Sequence, residues 1–143
     1  KFGRTFVFMT SLFVDSGYWI ALENADDQNH SRALSHWQET ITNMPQLVTT
    51  SYIFDEVITF FNSRHNHAKA VELGHTLLQS SFIEMIYVNE PLFNEGWEHF
   101  QKHKDKRYSL TDCISFTVMN KRNLTMALTF DKHFRQAGFQ TLP

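Results

Sequence analysis

Apolar and polar positions change period several times along the chain, from short unbroken apolar runs to stripes spaced near 3.6 residues, and this predicts alternating strands and helices. Leu12-Phe13-Val14 reads as a first strand stopping at Asp15, after which Tyr18, Trp19 and Leu22 fall at helical spacing. Asp26 and Asp27 supply a loop and N-cap for a second helix carrying Ala33, Leu34, Trp37 and Ile41, which Met44-Pro45 ends. Leu47-Val48-Thr49 is a second strand, and Thr50 or Ser51 opens a helix striped by Ile53, Val57, Phe60 and Phe61. A fourth helix covers about Ala68 to Gln79, and Phe82 to Val88 has the strongest β-branched and aromatic content in the chain.

Glu90-Pro91 starts the next helix, whose apolar face is read as Leu92, Phe93, Trp97 and Phe100, ahead of the basic segment Lys102 to Arg107. Ser109-Leu110-Thr111-Asp112 has the spacing of a capping box and introduces a helix through Cys113, Phe116 and Met119 or Asn120. Met126 to Phe130 is a further strand ending at Asp131. Phe134 begins a short helical turn closed by Gly138, and Phe139 to Leu142 forms an edge strand. The string β-α-α-β-α-α-β-α-α-β-α-β predicts an α/β fold.

No repeat, linker or Pro/Gly-rich boundary divides the 143 residues, so a single domain over 1–143 is expected, with residues 1–8 either a native or an appended extension before Met9. Lys1 and Arg4 precede the apolar run Phe6 to Val14 in the manner of a secretion signal. Thr10 and Ser11 interrupt that run, however, Asp15 ends it, and no small-residue cleavage site follows. No stretch approaches the ~20 apolar residues that span a bilayer, so a cytoplasmic protein without a membrane segment is expected. A lone cysteine, Cys113, permits neither an internal disulfide nor a cysteine zinc cluster. With 13 Lys and Arg against 15 Asp and Glu, bulk charge does not attract a polyanion; a local patch or a metal would have to hold one.

The candidate chemistry is acidic. Asp15 and Asp131 each directly follow an apolar run read as a parallel strand, and in open α/β sheets the crevice beyond the strands' carboxyl ends is where ligands bind. Asp112 sits in the first turn of one helix and Glu56 one turn into another, and helices of this architecture begin at that same edge. Two carboxylates within 4 Å repel by about 4 kcal/mol at an effective dielectric near 20, so a convergent set requires a cation. An all-oxygen set selects a hard ion, Mg²⁺ or Mn²⁺. Such an ion polarises a phosphoryl oxygen and acidifies water, which is the chemistry of phosphodiester hydrolysis.

Each acid also has a plainer reading. Asp15, Asp112 and Asp131 occupy or adjoin helix N-termini, where capping alone stabilises by about 1 kcal/mol, and Glu56 could face solvent. His99 and His103 stand four apart as zinc-binding histidines do, but Lys102 lies between them and H-E-x-x-H is absent. Cys113 beside Asp112 is disfavoured as a nucleophile. An aspartyl-phosphate enzyme is disfavoured because Gly17 occupies the second acidic position of a D-x-D pair, and a receiver domain because no acidic pair ends the first strand. Lys102, Lys104, Lys106 and Arg107 form a basic segment suited either to nucleic-acid phosphates or to plain solvation. Fourteen Phe, with Phe60, Phe61, Phe93, Phe100 and Phe116 assigned to buried faces, exceed what one small core needs; a homodimer or an apolar groove for a partner helix is the expected use.

The ordered pieces Phe13-Val14-Asp15-Ser16-Gly17-Tyr18-Trp19-Ile20-Ala21-Leu22, Asp26-Asp27-Gln28-Asn29-His30 with Ala33, Glu56-Val57, Leu110-Thr111-Asp112-Cys113 and Thr129-Phe130-Asp131-Lys132-His133-Phe134 resemble PIN-domain nucleases, especially VapC-type toxins of bacterial toxin–antitoxin modules. The resemblance spans about Ser11 to Thr141. It implies a three-layer α/β/α sandwich around a short, mainly parallel twisted sheet, and Mg²⁺- or Mn²⁺-dependent cleavage of single-stranded or structured RNA leaving a 5′-phosphate. It also implies an antitoxin partner, an acidic quartet of Asp15, Glu56, Asp112 and Asp131, and supporting hydroxyls at Ser16 and Thr129. By the same resemblance Asp15, Asp112 and Asp131 hold the ion while Glu56 handles the attacking water. The other use of this fold is in RNA processing or as a non-catalytic RNA-binding module. One departure stands out: many relatives carry a further acid two residues after the last aspartate, where this chain has His133.

Overall fold

The computed structural model describes residues 10–143; the expectations for residues 1–8 and for a start at Met9 lie outside the described residues. Strands β1 (Ser11–Val14), β2 (Gln46–Thr50), β3 (Ile83–Ile86), β4 (Met126–Leu128) and β5 (Gln140–Leu142) form one sheet in the order β3-β2-β1-β4-β5, with every neighbouring pair parallel. Between them run α1 (Ser16–Glu23), α2 (His30–Thr40), α3 (Ser51–Ser63), α4 (His67–Gln79), α5 (Glu90–Lys102), α6 (Leu110–Lys121) and α7 (Lys132–Gln136). This is the expected order of elements.

Parallel strands need crossovers, and crossovers are right-handed. From β1 the chain steps outward to β2 and β3, then returns across the sheet to β4 and β5, so the intervening helices fall on opposite faces. The packing agrees: α1, α2, α3 and α4 contact one another, as do α5, α6 and α7. The reversal places a topological switch between the adjacent strands β1 and β4, and the crevice at such a switch lies beyond the strands' carboxyl ends.

The core is apolar on both faces of the sheet, with Phe13, Val14, Leu47, Ala127 and Leu128 fully buried. Helix α6 is buried without interruption from Asp112 to Met119: it packs along α5, and its apolar residues join the strands' core cluster. Gly96 permits this approach: a Cβ there would meet Ile114 Cγ1 at 2.4 Å. Salt bridges from Lys121 to Glu95 (2.9 Å) and from Arg122 to Glu84 close the far end of α6 against α5 and β3. Asn66, Asn89 and Ser109 cap α4, α5 and α6 with their side chains, and Gly138 at φ 99° turns the chain out of α7.

The differences from expectation are local. The N-cap of α2 is Asn29, while Asp27 instead accepts the Asn29 N–H at 2.8 Å in a turn; α2 stops at Thr40, leaving Leu34 and Ile41 exposed. β3 and β4 are shorter than the apolar runs that announced them, since pairing ends where the chain turns into the crevice. On α5 the buried stripe is Leu92 and Gly96 with half-buried His99 and His103, one residue round from the stripe read from sequence. Phe93, Trp97 and Phe100 are exposed, and Phe60 is half-buried beneath the Arg64 guanidinium. Phe61 and Phe116 are buried as expected. Among the described residues no helix is long and apolar enough to cross a membrane.

Candidate active site

Asp15 follows β1 and stands at the N-cap of α1, yet its side chain makes no capping hydrogen bond. Asp15 Oδ2 instead accepts the Thr129 hydroxyl at 2.9 Å, across the gap between β1 and the chain leaving β4. Thr129 Oγ1 in turn accepts the Asp131 backbone N–H at 2.9 Å. Asp131 caps α7 by accepting the His133 N–H, and the His133 ring folds back so that Nδ1 lies 3.1 Å from Asp131 Oδ1 and 3.2 Å from Asp112 Oδ2. Asp112 is fixed by the capping box it forms with Ser109, each taking the other's backbone N–H. On the other flank Ser16, next to Asp15, donates its hydroxyl to Glu56 Oε1 at 2.8 Å. An unbroken run of contacts therefore joins Glu56, Ser16, Asp15, Thr129, Asp131, His133 and Asp112 at the carboxyl edge of the sheet. All four sequence-derived acids and both hydroxyls are in it.

The electrostatics record the crowding. Burial pushes the Asp15 carboxyl up to about 7; the Thr129 hydroxyl opposes this, and the charges of Asp112 and Asp131 add to it. Asp112 is also raised, first by burial and then by Asp131, against the pull of the Ser109 N–H and of His133. Glu56 stays open to solvent at the rim, yet the protein around its carboxyl removes enough hydration to raise it too. Ser16 opposes that shift and the Asp112 charge adds to it. Among the described residues, His133 is the one basic side chain within salt-bridge distance of any of the four acids. Such a cluster favours a cation.

Among the described residues, Asp112, Asp131 and His133 offer a group of potential ligand atoms all within 4.8 Å of one another; Asp15 is not a member of that trio. Two carboxylates with a third beside them fit a hard divalent ion, and an imidazole nitrogen is a donor that Mn²⁺ accepts more readily than Mg²⁺ does. Sequence reading noted His133 only as a departure; its place two residues after the strand-ending Asp131 was the available signal. It did not single out Tyr108, which is buried and sets its ring edge-on to His133 at 5.5 Å.

Lys102, Lys104, Lys106 and Arg107 are all exposed, at the end of α5 and in the turn to α6, and Lys102 lies 3.9 Å from Glu98. The rings of His99 and His103 stack at 4.2 Å, and His103 Nδ1 bonds the His99 carbonyl. Cys113 is buried, which pushes its thiol up to about 11. Away from the acids, an apolar groove of about 440 Å³ lies between α3 and α4, lined by Phe54, Ile58, Ala70, Val71, Gly74 and Leu78.

A profile of the PIN domain matches residues 12–140. The chain belongs to the PIN-domain family. This PIN domain is 34% identical over 128 residues to the 23S rRNA-specific endonuclease VapC20 of Mycobacterium tuberculosis, an alignment covering 90% of this chain and 95% of VapC20. The crystal structure of VapC20, described as a sarcin–ricin loop cleaving toxin, superposes with a TM-score of 0.81 at 32% identity over 90% of this chain and 95% of the other. FitAcB of Neisseria gonorrhoeae (TM-score 0.65, 14% identity, 92% and 96% covered) and VapBC2 of Rickettsia felis (0.67, 11%, 92% and 97%) share the fold.

Proposed function

We propose that this PIN domain is a divalent-metal-dependent endoribonuclease of the VapC toxin type. The observation that carries the proposal is the continuous contact run from Glu56 to Asp112, which gathers acids from four elements at the topological switch and leaves three of them raised. A helix-capping role does not account for the Asp15 side chain, which makes no capping hydrogen bond. A non-catalytic RNA-binding module has no need of four crowded carboxylates.

Asp15, Asp112 and Asp131 would hold Mg²⁺ or Mn²⁺ directly or through water, and His133, whose Nδ1 reaches both Asp112 and Asp131, would orient those two carboxylates. When bound, the ion supplies Lewis-acid polarisation of the scissile phosphate and a more acidic water. Thr129 keeps the Asp15 carboxylate aimed. Glu56, outermost and steadied by Ser16, orients the attacking water and takes its proton; burial holds its carboxyl above the ordinary carboxylate range, which makes it a stronger base. In-line attack on phosphorus then releases the 3′ oxygen of the neighbouring nucleotide and leaves a 5′-phosphate. Lys102, Lys104, Lys106 and Arg107 hold substrate phosphates beside the cut.

RNA loops of the sarcin–ricin type are the first substrates to test, since VapC20 is described as a toxin that cleaves that loop. An antitoxin polypeptide is the expected partner, the protein acts in the cytoplasm, and the chain pairs with a second copy. Light scattering after size exclusion checks the last point: only monomer at micromolar concentration removes the homodimer. The activity itself is tested by incubating a sarcin–ricin loop RNA with Mg²⁺ or Mn²⁺. Wild type cleaves and chelator stops it, and Asp112→Asn loses on the order of 10²-fold or more. Cleavage undiminished by Asp112→Asn refutes the reading.

A further inference from the structure

The aromatic stripe that α5 leaves outside the core adjoins both the basic segment and the acids. Trp97 is 45% and Phe100 38% exposed, and their rings lie nearly parallel, 13° apart with centroids at 5.6 Å. They open onto a recess of about 240 Å³ whose other walls are Gln101, His103, Lys104, Arg107 and Tyr108. That volume is below the ~300 Å³ at which pockets for drug-sized ligands begin, and it suits one planar group. Lys104 and Arg107 are exposed at its mouth, with Arg107 held at φ 60°, a conformation a non-glycine residue adopts at some cost. Tyr108 forms its inner wall and is the same ring that packs on His133, so the recess and the acidic cluster share a boundary.

We propose that this recess is a nucleobase-stacking subsite, which takes one unstacked base of a single-stranded RNA segment on the Trp97–Phe100 pair while Lys104 and Arg107 hold its flanking phosphates. The inference rests on the ribonuclease reading above and specifies how the substrate is held. Single-stranded nucleic acid is bound where aromatic faces and cations alternate, because each base offers a π-face and each linkage a negative charge. Both features are present here, and only the Tyr108 ring, which packs on His133, stands between the recess and the acids. Trp97 and Phe100 stand partly in water beside Lys104 and Arg107, outside the core cluster. The subsite requires a base that is already unpaired, so it favours loops over duplexes.

The test uses the full chain carrying Asp112→Asn, so that RNA is bound without being cut. A short single-stranded RNA is titrated while tryptophan fluorescence is followed; Trp19 is buried and Trp37 half-buried, leaving Trp97 as the exposed reporter. The expected result is quenching that disappears in Trp97→Leu, together with affinity lower by roughly 5- to 150-fold, the range of one lost base–aromatic stack. Trp97→Phe recovers most of that affinity. Replacing bases one at a time by abasic sites reproduces the loss at a single position. The salt dependence is unchanged in Trp97→Leu but shallower by about one charge each in Lys104→Ala and Arg107→Ala. RNA affinity indifferent to Trp97→Leu, or to every abasic site, overturns the subsite. Quenching by an acidic peptide but not by RNA overturns it as well, in favour of a protein partner. If Trp97-dependent binding holds but the wild type with Mn²⁺ cuts no RNA, the ribonuclease reading fails and the subsite stands. If the wild type and Trp97→Leu cut loop RNA with equal KM, the subsite alone fails.

Discussion

Thr129 donates its hydroxyl to Asp15 Oδ2 at 2.9 Å while accepting the Asp131 N–H through the same oxygen, so one small side chain spaces the two acids that follow adjacent strands. Thr129→Val keeps the shape and removes both bonds. With the hydroxyl gone, the Asp15 carboxyl rises further and loses its fixed orientation. The expected outcome is a 10- to 100-fold loss of RNA cleavage, roughly the usual effect of removing a group that orients a metal ligand, and a higher Mg²⁺ or Mn²⁺ concentration for half-maximal rate. Thr129→Ser restores both. A metal titration that does not move in Thr129→Val shows that the hydroxyl is merely structural.

Burial of Asp15 makes stability depend on pH in a stated direction. Its folded pKa of about 7 lies above the ~3.9 of an unfolded aspartate, so its contribution is fully present below about pH 4 and is lost as pH rises through 7. Asp15→Asn, which cannot ionise, escapes that loss. With divalent ions chelated, the variant's advantage over wild type in urea unfolding should grow from near zero at pH 4 to on the order of 2–4 kcal/mol at pH 8. Excess Mn²⁺ should narrow the gap by stabilising wild type. An advantage that is the same at both pH values contradicts the assignment of a buried, raised carboxyl.

Glu56 sits at the solvent-facing rim, and its raised carboxyl must be ionised to accept a proton. Wild-type cleavage at saturating metal should therefore climb with pH along a limb displaced above the ordinary carboxylate range. Glu56→Gln should lower kcat on the order of 10²- to 10⁴-fold while leaving RNA affinity in place. Equal losses in kcat and in affinity would assign Glu56 to binding instead.

Much of this site is legible in the chain because strand ends and helix starts announce themselves. The apolar runs end at Asp15 and just short of Asp131, and the capping-box spacing fixes Asp112 at the first turn of α6. With the strands parallel, those positions share one edge. His133 was harder to place, because its role depends on α7 turning the ring back toward Asp112, which one residue of context does not encode. The orientation of α5 was misread for another reason. Leu92, Phe93, Trp97 and Phe100 form a genuine apolar stripe, but hydrophobicity alone cannot weigh it against a neighbouring stripe centred on glycine. Gly96 wins because it lets two helix backbones approach, and close packing over the length of α6 outweighs burial of the three rings Phe93, Trp97 and Phe100.

Gly96 is the position at which α5 tolerates no added methyl. Alanine improves intrinsic helix propensity by about 1 kcal/mol, so an exposed glycine in α5 would be stabilised by the change. At position 96 the new Cβ would lie 2.4 Å from Ile114 Cγ1 and 3.3 Å from Ile114 Cα, and Ile114 is fully buried with no free direction in which to move. Overpacking of this kind costs about 1–3 kcal/mol, enough to exceed the propensity gain. Gly96→Ala should therefore lower the urea midpoint. The cause is identified by a cycle with Ile114→Ala, which deletes the colliding atom. Alone, Ile114→Ala opens a cavity and costs about 2–5 kcal/mol; in the Gly96→Ala background it should cost distinctly less, because the added methyl fills part of the space. Strict additivity of the two changes would mean that α5 and α6 are not held together at this contact.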